Sequence, residues 1–263
     1  MVIAGAAFAG PVLAQDQQAA ACTIQAAGLP ATVDQYLPAA QACLSAPPAG
    51  ITVRADLEAQ ALAALNAQRA DAGLAPLTAR PALSDAARLH TIDMAARGYA
   101  AHVDPEGRDH LDRIRTLDRT GLIGAVGGNV AILEPGDDIA SYLSAEGVDR
   151  DNVLRQEFTD VGLAIAEADG RTFAVAVFAR VDGELDAPLP VTSQRIASVR
   201  SDLDRESMPM AGLRLSSVDG AVLARSHGRS IRAPGEGDAY LDIAIDQGDG
   251  VLYLRGPATH VGG

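Results

Sequence analysis

The sequence predicts an α/β protein: a three-layer α/β/α sandwich around a small antiparallel sheet, with a β-rich C-terminal extension. Four segments between residues 55 and 146 repeat apolar residues at helical spacing. Two apolar runs around Asp169-Gly170 are typical of an antiparallel hairpin. Past residue 195 apolar and polar residues alternate, which indicates further strands. Helices on both sides of a small antiparallel sheet would form three layers.

The four predicted helices follow one another in the first part of this region. The first lies in "RADLEAQALAALNAQRADAGLAPL", where Gly73 is expected to stop it, and the second in "ALSDAARLHTIDMAARG", which ends at Gly98. "HLDRIRTL" is a short third helix with its apolar residues facing inward. "GDDIASYLSAE", residues 136–146, is the fourth, with an acidic first turn.

Strands are predicted between and after the helices. "NVAIL" (129–133) is the first, and the hairpin over 160–181 supplies two more. A proline-containing linker (184–192) precedes the C-terminal region, where a turn is expected at Asp219-Gly220. This region is therefore expected to be rich in β-structure.

Composition shifts divide the chain into four segments. We expect a signal peptide with a short mature stub at 1–21, a cysteine-containing segment at 22–50, a domain at 51–186 and a β-rich region of unknown function at 187–263. Segment 51–186 carries 23 Asp and Glu against 13 Arg, whereas 187–263 carries 9 against 8. A segment with its own electrostatic character suggests a domain with its own surface.

The N-terminus has the pattern of a secretory signal. An apolar run from Val2 to Leu13 ends in Val12-Leu13-Ala14, an acceptable small-residue cleavage site, before polar Gln15. The alternative is a buried alanine-rich helix. The run is too short to span a bilayer, and no other stretch approaches that length. The sequence therefore predicts a secreted or periplasmic protein with no membrane span.

Cys22 and Cys43 are the two cysteines of the chain. In an exported protein an isolated pair indicates a disulfide, which would stabilise the fold by about 3 kcal/mol in the chain-entropy model. Two free thiols are the alternative if the protein stays in the cytosol. Two cysteines alone are too few ligands for a zinc site.

The net charge of −13 argues against nucleic acid as a partner, because phosphate neutralisation needs clustered cations. Motifs of serine hydrolases, zinc proteases and nucleotide-binding proteins are absent from the sequence. The densest chemistry lies in "GYAAHVDPEGRDHLDRI", which carries His102 and His110. Three interpretations of these histidines are open: half of a metal site, a catalytic dyad, or the polar start of a helix.

Six ordered segments resemble one known family: "LNAQRADAGLAPL", "PALSDAARLHTIDMAARGY", "HVDPEGRDHLDRI", "GGNVA", "DRDNVLRQEFTDVGLAIA" and "FAVAVFA". Their order resembles the CAP superfamily of cysteine-rich secretory proteins, antigen 5 and pathogenesis-related proteins, in its bacterial SCP-like extracellular form. The resemblance covers roughly residues 55–180. It implies an α/β/α sandwich and a cleft that usually holds two histidines with acidic partners and can bind a divalent metal such as zinc.

The resemblance also implies which residues form the cleft. His102 stands at the position of the family's first histidine, and Tyr142 near a position that is commonly Trp. Gly128 replaces the cleft glutamate, and Asp149 replaces the second histidine. We therefore expect a depleted cleft with no catalytic residue and no cofactor, in which His102, Asp149 and His110 are weak metal candidates.

Two further arrangements of this cleft stay open. In one, His102 and Asp149 form a hydrogen-bonded pair; in the other, their nitrogen and oxygen atoms attract Ca²⁺ or Mg²⁺ weakly. We expect His110 to be a solvated histidine in the first turn of its helix, and His90 to be a core histidine. Family positions Asn66, Arg69, Arg150 and Asn152 are expected to tie helix ends to loops.

Three functions follow as hypotheses. The first is a non-catalytic binding or envelope-associated module, with a small apolar molecule or an envelope component as its partner. The second is a metal-dependent or His/carboxylate hydrolase, which needs a fuller set of acid–base groups than His102 supplies. The third is a carrier of a lipid or sterol, which rests on fold analogy alone.

Overall fold

The computed structural model describes residues 21–24, 27–205 and 210–261, and within them six α-helices and eleven strands. The predicted signal segment lies almost wholly outside the described residues. The helices are α1 Val33–Ser45, α2 Ala55–Asp71, α3 Pro81–Arg97, α4 His110–Leu117, α5 Ile139–Leu143 and α6 Val148–Val153. The strands are β1 Thr52–Val53, β2 Thr78–Ala79, β3 Gly121–Leu133, β4 Asp160–Ala168, β5 Arg171–Glu184, β6 Arg195–Ile196, β7 Met210–Ser216, β8 Val222–Ser226, β9 Ile231–Arg232, β10 Gly237–Asp246 and β11 Val251–Val261.

Nine strands form one mainly antiparallel sheet in the order β1-β4-β5-β3-β11-β10-β7-β8, with β2 joined in parallel to β4. The remaining two, β6 and β9, form a separate antiparallel ribbon. The hairpin β4–β5 turns at Asp169 and Gly170, which both have positive φ angles, 49° and 71°. Two successive positive φ values match a type I′ turn, so the predicted hairpin is confirmed at its turn.

Both faces of the hairpin strands β4 and β5 are buried under helices, so the fold has three layers: helices, sheet, helices. On β4, Leu163 and Ile165 join a core with residues of α2, α5 and α6, whereas Ala164 joins a second core with residues of α3. Successive side chains of a strand point to opposite faces, so the helices lie on both sides of the sheet. A Cβ atom at Gly162 would collide with the backbone of Leu83, which shows how closely α3 approaches β4. The predicted α/β/α sandwich is confirmed.

Two predicted elements have different lengths in the structure. The fourth helix is only Ile139–Leu143, because Asp138 caps its start and Gly147, with a φ of 97°, separates it from α6. The first predicted strand extends back from residue 129 to Gly121, because β3 pairs along its whole length with β5.

The cysteine-containing segment is attached to the sandwich covalently and by packing. Cys22 and Cys43 form a disulfide, as predicted. The bond fixes the chain before α1 to the end of that helix, and Tyr36 and Cys43 of α1 pack on Leu89 and Ile92 of α3. The segment thereby covers the outer side of α3.

The C-terminal region has a core of its own but shares the sheet. Its apolar core is drawn from residues 185–261 with the addition of Leu122. Strand β11 pairs with β3 at Arg255 and Ile123, which joins the two regions in one sheet. The domain boundary expected after residue 186 stays a prediction. No helix among the described residues is long and apolar enough to cross a membrane.

Candidate functional site

His102 and His110 lie side by side at the start of α4. Asp109 caps this helix, accepting from the Asp112 backbone N–H, while the Asp112 carboxylate accepts from the Asp109 N–H. The cap fixes the first turn, so that Nε2 of His110 lies 3.2 Å from Nδ1 of His102 and one ring donates a hydrogen bond to the other. His102 is exposed, whereas His110 is only 7% exposed.

The expectation that His110 is a solvated histidine is therefore wrong, and Gly128 supplies the reason. A Cβ atom on Gly128 of β3 would collide with the imidazole of His110. The ring thus fills the space that a side chain at position 128 would need. Gly128, expected from the resemblance to stand in place of a cleft glutamate, is the residue that admits His110.

His90 extends the pair into a row of three imidazoles. The ring of His110 lies edge-on to those of His90 and His102, with centroids 5.5 Å apart in each case. His90 is buried, and its Nε2 lies 2.6 Å from the Ala101 carbonyl oxygen, so the expected core histidine is confirmed. The row leads from the buried His90 on α3 to the exposed His102.

Burial keeps the two inner histidines neutral. Loss of solvation, with a smaller contribution from the nearby Arg113 guanidinium, lowers the pKa of His90 to about 3. The same two causes, in the same order, hold the pKa of His110 well below its usual value. Nδ1 of each ring is buried without a hydrogen-bond partner among the described residues. His110 is accordingly a neutral donor or acceptor toward His102.

Asp149 lies on α6, near enough to His102 for their charges to interact, and Tyr142 lies on the preceding helix α5. Asp149 is half-buried; desolvation raises its pKa, and the positive charge that His102 can carry opposes this. Tyr142 is 48% exposed. The hydrogen bond of His102 goes to His110, and none of the hydrogen bonds in the described part of the chain joins His102 to Asp149. The alternative of a hydrogen-bonded His102–Asp149 pair is therefore not found in the structure.

Asn129, a residue that the sequence did not single out, holds α5 and α6 in place. Its Nδ2 donates to the carbonyl oxygens of Leu143 and Asp149, both at 2.7 Å, and its Oδ1 accepts from Nδ2 of Asn152 at 2.8 Å. The end of α5 and the start of α6 are thus fixed to β3 beside Gly128. The asparagines of "GGNVA" and "RDNVL" are the sequence signal that points to this bridge.

The ties from helix ends to loops predicted for the other family positions are confirmed for Asn66 and Arg69, whereas Asn152 ties α6 to strand β3. Asn66 bonds the backbone of Leu77 in both directions, and Asn152 bonds Asn129. Buried Arg69 donates to four carbonyl oxygens, including those of Val153 and Phe158. Arg150 is exposed and lines a surface cavity next to α6.

The residues of the cleft do not fit a catalytic zinc site. Two nitrogens bound to one tetrahedral zinc ion lie about 3.3 Å apart, a spacing close to that of His102 and His110. Catalytic zinc needs three protein ligands, however. Within the described ranges, the single group of three His, Cys, Asp or Glu ligands at metal spacing is Asp93, Asp104 and Glu106, which includes no histidine.

That acidic group is an ion-pair network. Arg97 bonds Asp93 at 2.5 Å and Glu106 at 2.7 Å, and Arg108 bonds Asp104 at 2.9 Å. Further charge comes from Arg113, 3.4 Å from Asp104. Three guanidinium groups balance the three carboxylates, which removes the negative potential that a cation would require. The network anchors the loop between His102 and His110.

The region around His102 and His110 matches a known protein family. A model of the cysteine-rich secretory protein family, CAP, matches residues 62–179. The matched range includes His102, Gly128 and Asp149. Residues 62–179 therefore match a CAP domain. The resemblance inferred from the six sequence segments is confirmed, and the CAP domain spans the helices α3–α6 and the strands β3–β5 that carry the cleft.

Several solved structures are similar to part of the chain. Five chains match, among them an outer surface protein from Borrelia burgdorferi, at 13% identity and a TM-score of 0.45, over 50% of this chain and 98% of that one. An extracellular protein containing a SCP domain from Bacillus anthracis is similar at 26% identity and a TM-score of 0.40, over 47% of this chain and 40% of that one. No curated protein matches the chain.

Proposed function

We propose that the chain is an extracellular CAP-domain protein, secreted or periplasmic, whose cleft binds a ligand without catalysing a reaction. The observation that carries this proposal is the His110 ring over Gly128. A neutral, buried imidazole stands where the resemblance implies a cleft carboxylate, so among the described residues this position gives His102 neither a third metal ligand nor a carboxylate as an acid–base partner. The disulfide between Cys22 and Cys43 supports export, because such bonds persist in oxidising compartments.

The surroundings of the cleft favour a ligand with an apolar part. Val103 follows His102 and is 47% exposed, and Val148 precedes Asp149 and is 74% exposed. Tyr142, on helix α5 just before α6, adds a third exposed apolar side chain. Apolar side chains around a few polar groups are typical of small-molecule sites. The proposed ligand is a small apolar or amphipathic molecule of the cell envelope.

Methyl NMR of valine-labelled protein, titrated with the uncharged amphiphile octyl glucoside, tests the binding proposal. We expect the methyl signals of Val103 and Val148 to shift. Val218 and Val251, which are 60% and 52% exposed in the C-terminal region, serve as internal controls for non-specific contact. Equal shifts at all four valines, or none at Val103 and Val148, would contradict the proposal.

Calorimetric titration with zinc tests the absence of catalysis. We expect no binding at micromolar zinc and no zinc-dependent ester or peptide hydrolysis. A His110→Ala, Gly128→Glu, Asp149→His variant serves as the positive control, because removing the His110 ring makes room for the glutamate. Micromolar binding by the wild type that His102→Ala abolishes would favour the metal-dependent hydrolase instead.

A further inference from the structure

A second cavity lies outside the CAP domain, in the segment that leads into the C-terminal region. It measures about 340 Å³ and lies between residues 185–190 and 195–200. Its apolar lining includes the buried residues Leu185, Leu189, Ile196 and Val199. This volume is at the lower end of the range of small-ligand sites, which is about 300–1,000 Å³.

The walls of this cavity are fixed by backbone hydrogen bonds. The N–H groups of Leu185 and Leu189 donate to the carbonyl oxygens of Thr120 and Arg119, both at 2.8 Å. The guanidinium of Arg119 donates in turn to the Leu189 carbonyl oxygen, also at 2.8 Å. The two walls are joined where the N–H of Asp186 donates to the Arg200 carbonyl oxygen at 2.9 Å. The cavity is therefore formed before any ligand binds.

Two arginines stand at the cavity without an ion-pair partner. Arg195 and Arg200 line it and are exposed, and no ion pair or side-chain hydrogen bond engages either guanidinium in the described part of the chain. Asp186 is the carboxylate of the lining and has an interaction of its own. Two arginines against one aspartate leave the lining at +1, in a chain whose net charge is −13.

The pairing of β6 with β9 places a third cation beside them. Arg195 lies directly opposite Arg232 in this two-stranded ribbon, and the neighbouring pair, Ile196 and Ile231, is buried. Like charges directly opposite each other destabilise a strand pair. Arg232 is exposed and also lacks an ion-pair partner within the described residues. An anion bound between the two guanidinium groups would relieve this repulsion.

The backbone at the rim is strained as well. Ser198, which lines the cavity, has a φ of 55°, a left-handed conformation that is uncommon for residues other than glycine. Such conformations concentrate at ligand sites. Beside it, the Ser193 hydroxyl donates to the Arg195 carbonyl oxygen at 2.7 Å and so fixes the backbone that carries this arginine.

We propose that this cavity binds an anionic amphiphile, with the apolar chain against Leu185, Leu189 and Val199 and the anionic head on Arg195 and Arg200. Carboxylate and phosphate heads share the chemistry that a guanidinium recognises. The site is distinct from the CAP cleft, and the proposal does not depend on the function proposed for that cleft.

Titration of the full chain with decanoate, followed by methyl NMR and calorimetry, tests the proposal. We expect the methyl signals of Leu189, Ile196 and Val199 to shift, and an Arg195→Gln, Arg200→Gln variant to bind about tenfold or more weakly. The matched control is Arg171→Gln, Arg255→Gln, which removes two exposed arginines elsewhere and should bind like the wild type. Decyl phosphate, titrated in parallel, distinguishes the head groups; tighter binding of either anion supports the proposal.

Three results would overturn it. The first is a decanoate titration that leaves the methyl signals of the cavity unchanged. The second is decanoate binding to the Arg195→Gln, Arg200→Gln variant as tight as to the wild type. The third is equally tight binding of uncharged decanol, which would mean that the arginines recognise no anion. A circular-dichroism spectrum identical to that of the wild type establishes that the variant is folded.

Discussion

The ring of His110 fills the space beside Gly128, so a single methyl group added at position 128 should disturb the packing there. We expect Gly128→Ala to destabilise the protein by about 1–3 kcal/mol, because the new Cβ collides with the His110 imidazole in a packed site. Urea denaturation measures this change. Gly250→Ala is the control, since a Cβ atom there meets nothing within 4 Å.

A double mutant separates this collision from other effects of the alanine. If the ring is the obstacle, His110→Ala combined with Gly128→Ala should be less destabilised than the sum of the two single variants. Strict additivity of the two free-energy changes would show that the glycine is needed for another reason.

The buried histidines also predict how stability depends on pH. The pKa of His90 is lowered to about 3 in the folded state, and that of His110 is lowered too, against about 6.5 in an unfolded chain. Below pH 6.5 the unfolded state therefore binds protons that the folded state does not. Stability should fall with pH from 6.5 downward, by up to about 1.4 kcal/mol per pH unit for each histidine.

Urea midpoints between pH 8 and pH 4.5 test this dependence. His90→Gln should reduce the slope below pH 6.5 by about one proton's contribution, whatever it does to stability at pH 8. The exposed His227→Gln exchange controls for the substitution itself. An unchanged slope in His90→Gln would mean that this imidazole is protonated in the folded protein.

At the scale of elements, one buried ion pair fastens α4 to the C-terminal strands. Arg115 of α4 bonds the Asp242 carboxylate of β10 at 2.6 Å and the carbonyl oxygens of Gly256 and Leu241. Its guanidinium also stacks on the ring of Tyr240 at 4.1 Å. The helix that presents His110 is thereby held by residues from outside the CAP domain.

Removing either partner of this ion pair should reduce stability by a different amount. Asp242→Ala leaves the Arg115 charge buried without a carboxylate, which costs about 3–5 kcal/mol. Arg115→Met should cost less, because Arg214 still bonds Asp242 at 2.9 Å. Chemical denaturation distinguishes the two, with Glu157→Ala as a control for an exposed ion pair. Equal losses would show that the pair acts mainly through packing.

At the scale of the whole molecule, the cores predict that the CAP domain folds without the C-terminal region. The two clusters that flank its sheet draw their buried residues from 61–179 alone. We expect a fragment of residues 21–186 to unfold cooperatively, at a lower denaturant midpoint than the full chain, because Leu122 and Arg115 lose their partners from the C-terminal region.

A shorter fragment tests what α1 contributes. Residues 50–186 should be less stable than 21–186, since removing α1 uncovers Leu89 and Ile92 of α3. An insoluble or molten 21–186 fragment beside a stable full chain would place the domain boundary elsewhere and make the two regions one folding unit.

Much of the fold follows from local rules that the sequence carries. The spacing of apolar residues predicted α2, α3 and α4, and Asp169-Gly170 predicted the hairpin because a type I′ turn needs two positive φ angles. The isolated cysteine pair predicted its bond. Each of these features depends on residues close together in the chain or on a pairing without alternatives.

The arrangement of the cleft could not be predicted from local patterns, because its residues meet only in the folded chain. The sequence by itself determined that His110 begins a helix and that position 128 has no side chain. The tertiary structure decided that these two positions face each other, which buries the ring and keeps it neutral. Burial depends on what packs over a group, and the packing of α4 on β3 involves contacts that no local pattern encodes.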